Sequence, residues 1–122
     1  MTVRVLIVDD QAPFLRAMSA VIEETIGFEV VGEASSGEEA IVTAHALLPD
    51  LVLMDVNLPG IDGVEATRRL TGCPSPPVVV LLSTYDDDAG ARFVAECAAA
   101  GYVTKSAFGP DRLRGAWAAA TG

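Results

Sequence analysis

The chain has little that would tie it to a membrane, a nucleic acid or a thiolate metal site. No apolar run reaches the roughly 18–20 residues of a membrane span. Met1-Thr2-Val3-Arg4 leads straight into a strand-like run, without the long apolar region and small-residue cleavage site of a signal peptide. Positive charge is scarce: Lys and Arg number 8 against 17 Asp and Glu, for a formal net charge of −9. This argues against a free-standing nucleic-acid binder, because phosphate contacts need a basic patch. The 2 cysteines, Cys73 and Cys97, lack CxxC spacing and read as reduced cytosolic thiols rather than a disulfide or a metal site. Repeats, low-complexity segments and internal linkers are also missing. What is present is 122 residues, 51% of them hydrophobic. That is the length of one domain, with enough apolar side chain for a real core.

Two apolar runs end on carboxylates. Leu51-Val-Leu-Met54 delivers Asp55, and a Pro59-Gly60 turn follows; Val3 to Val8 delivers Asp9 and Asp10. If these runs are parallel neighbouring strands, three carboxylates converge at one sheet edge. Like charges that close repel, so at least one should be neutralised or share a cation. Hard oxygen ligands at a strand edge suit Mg2+ and leave one carboxylate free as a nucleophile toward phosphate.

Strand-like runs alternate with helical patterns along the whole chain. After Val3–Val8, apolar residues Phe14, Leu15, Met18, Ile22 and Ile26 recur at helical spacing, with Pro13 in the first turn and Gly27 as the stop. Phe28 to Gly32 reads as a second strand. Ser36-Gly-Glu-Glu39 is a capping box opening a helix whose apolar face continues through Ile41, Ala44 and Leu48 until Pro49. Leu51 to Met54 is the third strand, and Asp62-Gly-Val-Glu65 caps a helix to about Thr71. A rigid connector, Cys73-Pro-Ser-Pro-Pro77, precedes the β-branched fourth strand, Val78 to Leu82. Asp86-Asp87-Asp88 suits a helix N-terminus and is expected to be a solvated helix start. That helix should run to about Ala99. Tyr102 to Thr104 is a brief fifth strand, and Pro110 opens a last helix holding Leu113 and Trp117. Such alternation implies a parallel sheet covered on both faces, and the continuously apolar first, third and fourth strands agree. In open sheets of this kind, sites form beyond the carboxyl ends of strands. Asp9, Asp10, Asp55, Ser83 and Lys105 all share that address.

These residues resemble the response-regulator receiver domain of two-component signalling, and the resemblance covers nearly the whole chain. Its carriers are Leu6-Ile-Val-Asp9-Asp10-Gln11, Leu53-Met-Asp55-Val-Asn57-Leu-Pro59-Gly60-Ile-Asp62-Gly63, Leu81-Leu-Ser83-Thr84-Tyr85 and Gly101-Tyr102-Val-Thr-Lys105. The Asp9-Asp10-Gln11 start, the Ser-Thr-Tyr-Asp-Asp stretch and Lys105-Ser106 resemble the NarL/LuxR-type branch. The resemblance implies a flavodoxin-like (βα)5 doubly wound parallel sheet of strand order 2-1-3-4-5. By position it implies that Asp55 accepts a phosphoryl group from a sensor histidine kinase. It also implies that Asp10, Asp55 and the backbone carbonyl of Asn57 ligate Mg2+, with Asp9 acting through water. Ser83 and Lys105 would contact phosphoryl oxygens, and Tyr102 would be the aromatic switch that follows Ser83. Two departures stand out. Ala98 occupies a position where many relatives close the fourth helix with glycine, and Ser106 follows Lys105 where many have proline.

Each residue alone has a plainer reading. An Asp pair is often a solvated cap, Lys105 a surface lysine, and Ser83 a satisfied strand end. Motifs gain force from their joint context. His45, in the second helix, reads as an ordinary surface residue, and Thr84 as a neighbour that helps set geometry without acting in catalysis. Of Phe14 and Leu15, one could be core and the other an exposed rim residue suited to kinase docking. Arg92, Tyr102, Arg112 and Trp117 fall where a dimer or output surface could form, although Trp117 could equally pack on the first helix. The expected protein is a cytoplasmic phosphoacceptor over residues 1–122, a signalling module rather than a metabolic enzyme. A homodimer is a possible assembly, and DNA would be reached only through a C-terminal helix-turn-helix effector domain outside this chain. The rivals are a phosphorylation-independent pseudo-receiver and a Mg2+-dependent phosphohydrolase with an aspartate nucleophile. The second rival needs a general acid two residues after the nucleophile, where Asn57 stands.

Overall fold

The computed structural model describes residues 2–122. Five parallel strands form one sheet of order β2-β1-β3-β4-β5. In chain order the elements are β1 (Val3–Val8), α1 (Ala12–Glu24), β2 (Phe28–Ala34), α2 (Gly37–Leu47), β3 (Leu51–Asp55), α3 (Gly63–Thr71), β4 (Val78–Ser83), α4 (Asp87–Cys97), β5 (Gly101–Thr104) and α5 (Pro110–Thr121), with a 3-10 turn at Lys105–Ala107. The expected order and alternation are therefore present. The central strands are apolar on both sides because both sides are covered. Leu6, Val8, Val52, Met54, Val79 and Leu81 point into one core cluster with residues of α2, α3 and α4. Val5, Ile7, Leu51, Leu53, Val80 and Leu82 alternate into a second cluster with Met18 and Ile22 of α1 and Leu113 of α5. Among the described residues, no helix is long and apolar enough to cross a membrane.

Side-chain caps fix where the helices begin. Ser36 Oγ accepts from the Glu39 N–H, and Glu39 Oε1 accepts in return from the Ser35 N–H, so the box closes one residue earlier than its usual form. Asp62 caps α3 through the Glu65 N–H, but Glu65 does not reach back. Its carboxylate pairs instead with Arg68 and Arg69 on the exposed face. Asp86 caps α4 by accepting from the Ala89 N–H.

Three helix ends differ from the sequence expectation, and β2 runs past Gly32 to Ala34. Ile26 belongs to no helical stripe: α1 ends at Glu24, and Ile26 lies in the following turn, 95% exposed. The Thr25 hydroxyl donates back to the Val21 carbonyl, and Gly27 with φ +93° makes the turn into β2. Leu48 likewise leaves the α2 face. It takes a left-handed conformation, φ +51°, and is 73% exposed, because Pro49 disfavours a helical residue before it. α4 stops at Cys97, with Ala98 as its left-handed cap at φ +59°. This is the conformation that glycine adopts without cost and that strains a residue bearing a Cβ by roughly 1 kcal/mol or more. Among the described residues every peptide bond is trans, including Lys105-Ser106.

Candidate functional site

Strand ends assemble the site. β1 and β3 are hydrogen-bonded neighbours, with Val8 beside Met54. The next residues therefore emerge together at the carboxyl edge of the sheet. Carboxylate oxygens of Asp9, Asp10 and Asp55 lie within 4.8 Å of one another. β4 contributes Ser83 at its last position, and Lys105 follows β5 directly. A cleft of about 220 Å3 opens here, lined by Asp10, Gln11, Asp55, Asn57, Ser83, Thr84 and Lys105.

The two members of the acidic pair differ. Asp9 is fully buried and both its oxygens are engaged: Oδ1 accepts from the Gln11 N–H at 2.9 Å and Oδ2 from Lys105 Nζ at 2.7 Å. Asp10 is exposed and faces the cleft. Asp55 is buried, 3.3 Å from Lys105 Nζ. Burial pushes its carboxyl up to about 6; the Asp9 charge adds to the rise and Lys105 opposes it. For Lys105, burial works to lower the ammonium pKa, but the hydrogen bond to Asp9 and the charges of Asp55 and Asp9 outweigh burial and raise it. Lys105 is thus a firm cation beside an acid that is reluctant to ionise.

Close packing sets the position of Asp55. The Gly63 N–H donates to the Val56 carbonyl at 2.8 Å, bringing the start of α3 against the end of β3. A Cβ on Gly63 would run into the carbonyl oxygen of Asp55. Glycine at this position allows helix and strand end to meet.

Ser83 and Tyr102 converge on Tyr85, a residue of the motif to which the resemblance assigned no role. Ser83 Oγ accepts weakly from the Tyr85 N–H at 3.4 Å, and Tyr102 Oη donates to the Tyr85 carbonyl at 2.6 Å. The Tyr102 ring lies over Gly90 of α4, where a Cβ would overlap it. Tyr85 in turn stacks edge-on against Phe93, with ring centroids 5.6 Å apart. Phe14 and Leu15 are both half-buried against the α1–α5 core, and neither is the freely exposed rim residue considered above. The Phe14 ring has Lys105 Nζ 4.4 Å from its centroid. Trp117 also packs into that core, half-buried, while Arg92 and Arg112 are exposed. His45 is exposed on α2, at the opposite edge of the sheet from the acidic cleft.

The sheet order and the strand-end cluster define a CheY-like receiver fold. A response-regulator domain of Thermotoga maritima CheB shares it, with a TM-score of 0.83 and 27% identity over 100% of this chain and 98% of that one. The chain belongs to the response regulator receiver domain family, whose model matches residues 5–118. It is 41% identical over 105 residues to the response regulator GacA of Pseudomonas viridiflava, covering 86% of this chain and 49% of GacA. A LuxR-family two-component response regulator from Aurantimonas sp. SI85-9A1 gives a TM-score of 0.89 at 32% identity, covering 100% of this chain and 87% of that one. The receiver domain of a putative NarL regulator from Mycobacterium tuberculosis gives 0.86 at 29% identity, covering 99% and 98%. These similarities place the chain with the NarL/LuxR-type branch of two-component receivers. The chain spans about half the length of GacA.

Proposed function

We propose that this domain accepts a phosphoryl group on Asp55 from the phosphohistidine of a sensor histidine kinase, with Mg2+, and relays the event through Ser83 and Tyr102. The observation that carries the reading is the setting of Asp55: a buried carboxylate opening into a cleft that holds a second acid, a hydroxyl and one ammonium. In the transfer the P–N bond to the histidine breaks and a P–O bond to Asp55 forms, leaving an acyl phosphate.

The donor set fits Mg2+. It consists of hard oxygens, with Asp10 and Asp55 open to the cleft, and Mg2+ typically takes one or two carboxylates while keeping several waters. Asp10, Asp55 and the backbone carbonyl of Asn57 would hold the ion. Asp9, whose oxygens are already occupied by Gln11 and Lys105, would reach it through water. Bound there, the ion would supply positive charge that keeps Asp55 ionised and offsets charge on the transferring group.

The remaining steps belong to the chain. Lys105 exchanges one carboxylate for a phosphoryl oxygen. The Ser83 hydroxyl, which accepts weakly from the Tyr85 N–H, donates its proton to another oxygen. The phosphoryl group carries about −1.5 to −2 charge in place of the −1 of the ionised carboxylate and presents it further out in the cleft, which gives both movements their driving force. A shift of Ser83 disturbs the Tyr85 peptide, and the same peptide holds the Tyr102 phenol. Tyr102 then leaves its seat over Gly90 and turns inward. The surface of α4, β5 and α5, with Arg92 and Arg112 exposed, is read out by a homodimer or an effector. We place the protein in the cytoplasm, controlling transcription through a helix-turn-helix domain joined after α5. The GacA match fits a longer protein, because this chain accounts for about half of that regulator. Signalling, rather than turnover of a metabolic substrate, is the role.

Intact mass spectrometry after incubation with acetyl phosphate and Mg2+ tests the reading. A single phosphoryl adduct on the wild type, absent from Asp55→Asn, is expected. A folded wild-type protein that takes no phosphoryl from acetyl phosphate or from its kinase would be a pseudo-receiver. Sustained hydrolysis of varied phosphomonoesters would instead make it a phosphohydrolase.

A further inference from the structure

We infer that Phe14 positions Lys105, holding its ammonium group beside Asp9 and Asp55 so that a phosphoryl group on Asp55 meets an oriented cation. The inference rests on the phosphoacceptor reading above and adds a residue to it. Lysine is a poor positioning device by itself: a compact, strongly hydrated charge on a flexible four-carbon stem. Here its freedom is removed from two directions. Asp9 at 2.7 Å and Asp55 at 3.3 Å hold Nζ from the sheet edge. The Phe14 ring holds it from α1, with the centroid 4.4 Å away. Only 13% of the Lys105 side chain is left exposed.

The two kinds of contact differ in what they do when phosphate arrives. A carboxylate competes with the phosphoryl group for the ammonium protons. An aromatic face attracts the cation through its quadrupole and shields it from water, yet accepts no ordinary hydrogen bond. The ring contact can therefore persist while Lys105 changes anionic partners. Phe14 is itself well fixed. It lies in the first turn of α1, directly after Pro13, and packs on the core that α1 shares with α5.

A purely structural Phe14 would affect folding and leave Lys105 chemistry alone, and the two cases separate in a double-mutant cycle. Rates of Asp55 phosphorylation by acetyl phosphate and Mg2+ are measured by intact mass for wild type, Phe14→Leu and Phe14→Tyr. Phe14→Leu is also measured in a Lys105→Met background, with thermal melts to confirm folding. The expected slowing is roughly three- to tenfold for Phe14→Leu. Phe14→Tyr, which keeps the aromatic face, should restore the rate to within about twofold, and Phe14→Leu should add no more than about twofold to Lys105→Met. Wild-type speed in Phe14→Leu overturns the inference, and so does equal slowing in both backgrounds. Should Phe14→Leu fail to fold, the ring-current shift of the Lys105 ε-methylene protons still decides. An upfield shift in the wild-type protein is expected, and random-coil positions overturn the placement. If the wild type takes no phosphoryl group at all, the phosphoacceptor reading fails and this inference falls with it. That outcome is distinct from a phosphorylating protein indifferent to Phe14.

Discussion

The two edges of the sheet carry cavities of opposite character, and the larger one lies away from the chemistry. At the edge where strands begin, about 360 Å3 is enclosed by Leu48, Pro49, Leu70, Trp117 and the prolines of the connector before β4. Its ionisable residues do not converge: Asp50 Oδ2 accepts from the Arg4 N–H, and His45 does no more than approach Cys73 Sγ at 3.5 Å. At the edge where strands end, the smaller cleft gathers Asp10, Asp55, Ser83 and Lys105, with Asp9 buried beneath. The difference shows that volume is a weak guide in this fold. A parallel sheet sends strand ends to one edge, so groups at the last residue of a strand or just past it meet there. The connectors at the opposite edge have no such convergence, and those before β3 and β4 close with proline.

Substitutions at the two edges should separate by orders of magnitude. Lys105→Ala is expected to slow phosphorylation of Asp55 on the order of 100-fold, as loss of a transition-state donor does. His45→Ala should leave the rate within about twofold, consistent with a residue outside the site. A comparable loss in both variants, measured with acetyl phosphate, would break the comparison. Next in size is the stability of Asp55→Asn. The native carboxyl is raised from about 4 to about 6, so the folded state holds a proton that the unfolded chain releases across that window. Wild-type stability therefore falls as pH rises from about 4 to about 6, and the cost stays in place above it. In Mg2+-free buffer Asp55→Asn should be more stable near neutral pH by about 1–3 kcal/mol, a gain that fades below about pH 4. Urea denaturation at several pH values checks both sign and window. Ala98→Gly should add about 1 kcal/mol by relieving the left-handed cap of α4, read as a higher urea midpoint with an unchanged slope. The smallest effect belongs to Leu48→Ser. At an exposed position beside the larger cavity it should shift stability by no more than about 0.5 kcal/mol.

The acidic cleft was legible because its information is one-dimensional. A polar residue that closes or directly follows an apolar strand has a fixed address, and Asp55, Ser83 and Lys105 needed nothing more. The sheet order was legible through the resemblance, which the strand pairing bears out. What spacing concealed depends on rotation about a few bonds. Ile26 and Leu48 continued the helical apolar pattern in sequence, yet each helix ends before reaching them. The unequal burial of Asp9 and Asp10 follows from the chain turning between them, and a pair of identical letters cannot show it. Tyr85 stood in the motif without a role because its backbone, rather than its side chain, joins Ser83 to Tyr102. Phe14 was visible as an aromatic near the cleft, but its partner Lys105 lies 91 positions away in sequence, and only the packed fold brings them together. Gly90 carried no motif signal, and Gly63 stood in the Asp55 motif without a stated role. Their meaning is the space they leave for Tyr102 and for the end of β3.

The most direct test of the account locates the phosphoryl group by residue. Protein treated with acetyl phosphate and Mg2+ is reduced with borohydride, which converts an aspartyl phosphate to homoserine, then digested and sequenced by tandem mass spectrometry. The account predicts homoserine at position 55, with Asp9 and Asp10 intact. An unmodified Asp55 alongside a phosphoryl group on Asp10, or on His45 at the other edge of the sheet, would contradict it.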